Sequence, residues 1–144
     1  MISSNTITRT DTLTFANKKP VFYSDFLDSF ANSPVGGDLG RVINENAVTQ
    51  SIINLINTVI GERLFQPTVG CGIYNNLFEI NDNTTTLSIT TNIQNTLKYF
   101  EPRCNLISVA VNSLDDYTIL INITYSLINN PTPISISPIT LRVR

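Results

Sequence analysis

Apolar residues keep one spacing up to Phe100 and another beyond Cys104, so the sequence divides into a helical half and a strand half. Val48, Ile52, Leu55, Ile56 and Val59 follow an i, i+4, i+7, i+8, i+11 pattern, which lays them on one stripe of a helix. Asn44 or Asn46 stands where a cap is needed, and Gly61 where a left-handed helix stop would fall. Arg63 to Phe65 reads as a short extended piece broken by Pro67. Ile73 to Phe78 reads as one or two helical turns with Ile73 and Leu77 on one face. Ile89, Ile93, Leu97 and Phe100 repeat the stripe, with Asp82 or Asn83 ahead of them as the start signal. The β-branched Thr and Ile of this second helix lower its own propensity, so tertiary packing must hold it. It stops at Glu101-Pro102.

After that corner the period is two. Ile107, Val109 and Val111 alternate with Ser108 and Asn112, and Asn112 to Asp116 predicts a hairpin turn. Ile119, Ile121, Ile123, Tyr125 and Leu127 alternate with Asn122, Thr124 and Ser126, the strongest strand signal in the chain. Asn129 to Pro133 predicts a loop. Ile134 to Val143 predicts a last strand carrying Pro138, which places it at an edge or bulges it, because proline brings no donor to a ladder. The expected class is α+β, with two main helices packed on one face of a small, mostly antiparallel sheet.

Ahead of the first helix, residues 1–20 show no period and read as a flexible arm, and 21–40 as an extended segment bearing aromatics. Residues 41–144 then make one α+β domain. Asn32-Ser33-Pro34 and Gly36-Gly37-Asp38 mark a turn. The spacing of Phe22, Phe26 and Phe30 favours packing on the domain's own core over anchoring a partner. A chain of 144 residues with 42% hydrophobic content needs no disulfide or metal to hold its core. Net charge is −2 without runs of either sign, which argues against nucleic acid. Charged residues make up only 14%, below the usual quarter. A surface rich in Asn, Thr and Ser suits a subunit covered by neighbours, and equally an AT-rich coding genome. No apolar stretch approaches the length of a membrane span, and the first residues lack the profile of a signal peptide.

Candidate chemistry is sparse. The chain has no histidine and two cysteines, so a structural zinc site lacks ligands, and nucleophile–histidine pairs are absent. Cys71 and Cys104 read as reduced thiols, and no cofactor is expected. Gly70 and Gly72 read as backbone requirements; no phosphate-binding pattern follows them. Glu101 and Arg103 flank the corner that Pro102 enforces, and could project toward a partner. On chemistry alone, an ordinary helix stop with exposed charges is the simpler account.

Gly61-Glu62-Arg63-Leu64-Phe65-Gln66-Pro67, Val69-Gly70-Cys71-Gly72, Leu77-Phe78-Glu79, Glu101-Pro102-Arg103 and Asp115-Asp116-Tyr117-Thr118 occur in that order. Together they resemble the baseplate wedge family of contractile-tailed phages, the gene product twenty-five type. Relatives of that family serve in type VI secretion baseplates and other contractile injection particles. The resemblance spans about residues 40 to 130. It implies a fold similar to the inner domain of contractile sheath proteins and a virion location in the tail baseplate, assembled in the host cytoplasm. It also implies a structural, non-enzymatic role: joining wedge proteins to the tail sheath and initiating sheath polymerisation. Glu101, Pro102 and Arg103 would then hold the wedge core. Ile134, Ile136, Ile139 and Leu141 would lie in the strand-exchange contact with sheath. Other wedge proteins and the sheath protein are the implied partners, with the tail tube or hub a further candidate, and no nucleic acid or membrane.

The rivals are a lysozyme-like cell-wall glycosidase and the equivalent subunit of a type VI or other injection system. A glycosidase needs two carboxylates roughly 5–9.5 Å apart, one with a raised pKa. Glu62, Glu79, Asp82 and Glu101 are candidates, but the chain has no tryptophan for a sugar platform.

Overall fold

The computed structural model describes residues 20–33, 37–76, 82–115 and 118–142. The expected arm up to residue 19, Pro34, Gly36, Leu77-Phe78-Glu79, Asp116 and Tyr117, and Val143 at the end of the expected last strand lie outside the described residues. In chain order the elements are β1 (Ser24–Phe26), β2 (Arg41–Ile43), α1 (Glu45–Asn57), α2 (Ile73–Asn76), α3 (Asn83–Phe100), β3 (Cys104–Asp115), β4 (Thr118–Leu127), β5 (Asn130–Ser135) and β6 (Ile139–Arg142). The mixed helix and antiparallel-sheet class read from the sequence is the one observed.

Strand β4 is the spine. It pairs antiparallel with β3 on one side, and with β5 and then β6 on the other. Ile119, Ile121, Ile123, Tyr125 and Leu127 all point into the core, as their alternation requires. There they meet Val48, Ile52 and Ile56 of α1 and Ile89, Ile93 and Leu97 of α3. Tyr125 is fully buried, so its hydroxyl needs partners. It finds Thr49 Oγ1 at 2.7 Å and donates to the Glu45 carbonyl at 3.1 Å.

Several sequence readings are corrected. Helix α1 ends at Asn57, so Val59 leaves the stripe and is exposed. Gly61 has φ +92° but lies in the following loop, and does not cap the helix. Strand β3 steps from the Leu106–Tyr125 pair to Ser108–Thr124. One extra residue, Ile107, is thus pushed outward by a bulge and is exposed rather than buried. The ladder continues to Asp115–Thr118, so no turn begins at Asn112. Asn130 to Pro133 belong to β5 instead of a loop. The β4–β5 register runs from Leu127–Asn130 to Tyr125–Ile134, leaving Pro131 and Pro133 in the irregular stretch between, where no ladder donor is required. Pro138 falls in the break between β5 and β6, the interruption expected there.

The expected strand-contact side chains divide. Ile136 and Leu141 are buried core residues, and Ile134 and Ile139 pack partly buried against that core. None stands free for a neighbour. What this margin offers is backbone.

Two of the three structural glycines are demanding for different reasons. Gly70 has φ +145°, and a Cβ there would come within 2.7 Å of the Thr58 carbonyl. This close pass lets Cys71 N–H reach the same oxygen at 2.8 Å. Gly61 needs only its positive φ. Gly72 needs neither, since a Cβ would make ordinary contacts at 3.7 and 3.8 Å, which corrects the sequence reading. Gly70→Ala is expected to lower stability by about 2–3 kcal/mol, while Gly72→Ala stays within about 0.5 kcal/mol. Urea unfolding of both variants measures the contrast, and equal losses would refute it.

Candidate functional site

The corner after α3 gathers groups from three parts of the chain. Pro102 disfavours helical geometry in the residue before it, and Glu101 takes φ −126°, ψ 71° as the C-cap while its N–H still bonds Leu97 O at 3.0 Å. This turns the Glu101 side chain inward. It is 2% exposed, so the expectation of a carboxylate projecting toward a partner is corrected, as is the alternative of exposed charges. Arg103 closes on it as a fork, Nε to Oε1 at 2.6 Å and Nη2 to Oε2 at 2.7 Å. Ser51 of α1, fifty residues away, donates to Oε2 at 2.6 Å.

Burial pushes the Glu101 carboxyl up, but the Arg103 and Ser51 hydrogen bonds and the Arg103 charge outweigh it. They hold it below the ordinary glutamate range. The Arg103 guanidinium is raised in turn by the Glu101 hydrogen bond. Its side chain is 34% exposed, and its Cζ lies 5.6 Å from the centroid of the Tyr23 ring, within cation–π range. The Glu101 oxygens are therefore engaged inside the protein, and Arg103 is the member of the corner that still faces outward.

Tyr23 is held in turn. Asn44 has φ +50°, and its Oδ1 accepts from Phe22 N at 2.8 Å and Tyr23 N at 3.3 Å while Nδ2 donates to Pro20 O at 2.9 Å. Asn44 is the N-cap residue by position, yet its side chain stitches the N-terminal segment instead of capping α1. Asn129 Nδ2 reaches the Tyr23 hydroxyl at 3.1 Å. The polar face of α1 fixes the same segment, with Gln50 bonding Phe26 O at 2.7 Å and Asn54 bonding Asp28 at 3.0 Å. Phe22, Phe26 and Phe30 are then 58, 54 and 70% exposed. They do not complete the core, because the segment is held by backbone and polar bonds that leave these rings outside.

Two clefts share Glu101 and Pro102. One, of ≈ 670 Å³, is also lined by Asp25, Ser51, Arg63, Gln66 and Arg103. The other, of ≈ 560 Å³, is lined by Gln94, Lys98, Cys104 and Ile107. Burial and the Glu101 charge push the Cys104 thiol up to about 11, which disfavours the thiolate. No cluster of three His, Cys, Asp or Glu that could hold a metal occurs among the described residues.

Residues 44–132 match the family model described as baseplate wedge protein gp25. Over 113 residues the chain is 32% identical to the baseplate wedge protein gp25 of Enterobacteria phage T4, covering 78% of this chain and 85% of that protein. This chain belongs to the gp25 baseplate wedge family. The gp25 match includes Glu101, Pro102 and Arg103 but stops before Ile134. Among solved structures, a Geobacter sulfurreducens protein put forward as a tail lysozyme is 27% identical with a TM-score of 0.64, over 69% of this chain and 91% of that one. A chain in the baseplate of the anti-feeding prophage shares the fold with a TM-score of 0.66 at 24% identity, over 73% and 85%. A chain of the post-contraction pyocin R2 baseplate does so with a TM-score of 0.56 at 16% identity, over 67% and 96%.

The sequence pointed to Glu101, Pro102 and Arg103 but not to Ser51, Tyr23 and Asn44, which complete the site. Ser51 carries no local signal. Asn44 was legible only as a helix-cap candidate; its positive φ and its bonds to the N-terminal segment were not.

Proposed function

We propose that this gp25-family chain is a structural subunit of the baseplate wedge of a contractile-tailed phage, joining wedge proteins to the tail sheath and starting sheath polymerisation. The Arg103 face binds the wedge core, and the β5–β6 margin of the sheath-like domain, residues 41–144, receives a strand from sheath. The tail tube or hub is a further candidate neighbour, and assembly takes place in the host cytoplasm before the subunit enters the virion.

One observation carries the sheath reading. Strands β5 and β6 pair only with β4, and among the described residues no strand lies beyond them. Such a margin is a template for a strand from another chain. Electron cryo-microscopy of assembled particles tests it: a sheath segment should run hydrogen-bonded along β5–β6. A solvent-facing margin in finished particles, or a sheath begun on a different protein, would refute it.

The glycosidase reading finds little support in the carboxylates. A general acid needs a raised pKa, whereas Glu101 is buried, fully engaged and held low. Asp82 accepts from Thr85 N at 2.8 Å to cap α3 and is also held low, chiefly by that bond. Glu62 is bonded back to Val59 N at 3.1 Å, and Glu79 lies outside the described residues.

A further inference from the structure

The loop between Gly61 and Pro67 lies outside the sheet margin and touches the corner only where Arg63 and Gln66 line its cleft, yet it is tied firmly at its base. Gly61 N–H bonds Pro67 O at 2.9 Å, Glu62 N–H bonds Val59 O at 3.1 Å, and Val69 N–H bonds Gln66 O at 3.1 Å. The Glu62 carboxylate turns back to Val59 N–H, closing the base a second time. At the tip of this tied loop stand Leu64, 91% exposed, and Phe65, 97% exposed. Two adjacent large apolar side chains almost wholly in water are costly unless something covers them. Apolar aromatics on a preformed backbone are the kind of residue that anchors an interface, because little entropy is lost when they dock.

Beside them, Arg63 has no hydrogen bond or ion pair among the described residues, and it lines the same ≈ 670 Å³ cleft as Arg103. Of the two arginines, Arg103 is already paired with Glu101 and Arg63 is not. The cleft lining holds two arginines and two carboxylates, Asp25 and Glu101, so it is neutral overall, but Arg63 has no partner of its own among the described residues.

We propose that Arg63, Leu64 and Phe65 form the second half of the corner's docking surface. They take an acidic segment of the same wedge protein that engages Arg103, with a carboxylate on Arg63 and an apolar pocket around Phe65. This rests on the reading of the corner as a wedge contact. Arg63 joins the two halves, because it lines the corner's cleft with Arg103 and also the neighbouring hollow that Leu64 and Phe65 line. The unpaired guanidinium sets that partner's charge, since planar bidentate recognition of carboxylate is what arginine does best.

The test uses the full-length chain co-expressed with the other wedge proteins. Arg63→Glu and Phe65→Ser should each weaken incorporation about tenfold with an unchanged melting temperature, because both side chains are exposed. Arg63→Lys should recover only part of the loss. A benzoyl-phenylalanine photo-crosslinker replacing Phe65, and separately Tyr99 on the corner side of the cleft, should capture the same wedge protein. The site captured from position 65 should lie next to Asp or Glu. If Arg103→Ala blocks incorporation while Arg63→Glu and Phe65→Ser incorporate normally, this inference fails and the corner reading stands. Should Arg103→Ala also incorporate normally, both fall. Cross-linking from position 65 to a second copy of this chain, or to a protein other than the corner's partner, would also overturn it.

Discussion

Arg103→Ala is expected to destabilise the chain by about 1–3 kcal/mol, to change the sign of its acid response, and to block entry into wedge complexes. The magnitude is set below the full penalty for breaking a buried pair, because Arg103 is itself about one-third open to solvent, at 34%. Glu101 is the buried partner, and without Arg103 it keeps one side-chain donor, Ser51. In the wild type its pKa lies below the ordinary value of 4.5, so its contribution is complete above that value and is lost as pH falls through the lowered pKa. In the variant, burial, the largest influence on this carboxyl, is expected to outweigh the Ser51 bond and to raise it above the ordinary glutamate range. The charged form then weakens the fold near neutrality, and acidification through the raised pKa restores stability. A pH series of thermal melts separates the two signs. A variant that loses stability on acidification as the wild type does would show that Arg103 does not set the Glu101 carboxyl. Normal wedge assembly would show that the corner's outward face binds nothing.

Deleting residues 134–144 should have the second large effect, and it should fall on folding before it falls on sheath growth. The segment carries Ile136 and Leu141, 5% and 6% exposed, with Ile134 and Ile139 packed against the same core. It also forms most of the ladder along one side of β4, pairing with Thr118 to Ile121 and with Thr124 and Tyr125. Two fully buried aliphatic side chains alone account for about 3–6 kcal/mol, a large part of the 5–15 kcal/mol typical of a domain. Circular dichroism should show a melt that is lost or strongly lowered. A truncated chain melting like the full one would mean that β5–β6 is an appendage. The edge strand that the sequence predicts here is therefore also part of the core, through Ile136 and Leu141.

What could be read in advance was whatever depends on local backbone period. The stripes of α1 and α3, the stop at Pro102, the alternation of β4 and the break at Pro138 follow from helical and strand geometry or from a missing N–H. The ordered motifs around Gly61, Gly70 and Glu101 also sufficed to suggest the family. Burial at the corner was not legible. Glu101 and Arg103 stand two residues apart in any conformation, but whether they reach outward or close on each other is decided by Ser51 and Tyr23, which distant segments bring there. Likewise a one-residue bulge turned Ile107 outward, and polar bonds from Asn44, Gln50 and Asn54 left Phe22 and Phe26 in solvent. Local pattern fixes which way a side chain leaves its own backbone. Only tertiary packing decides what, if anything, stands opposite it.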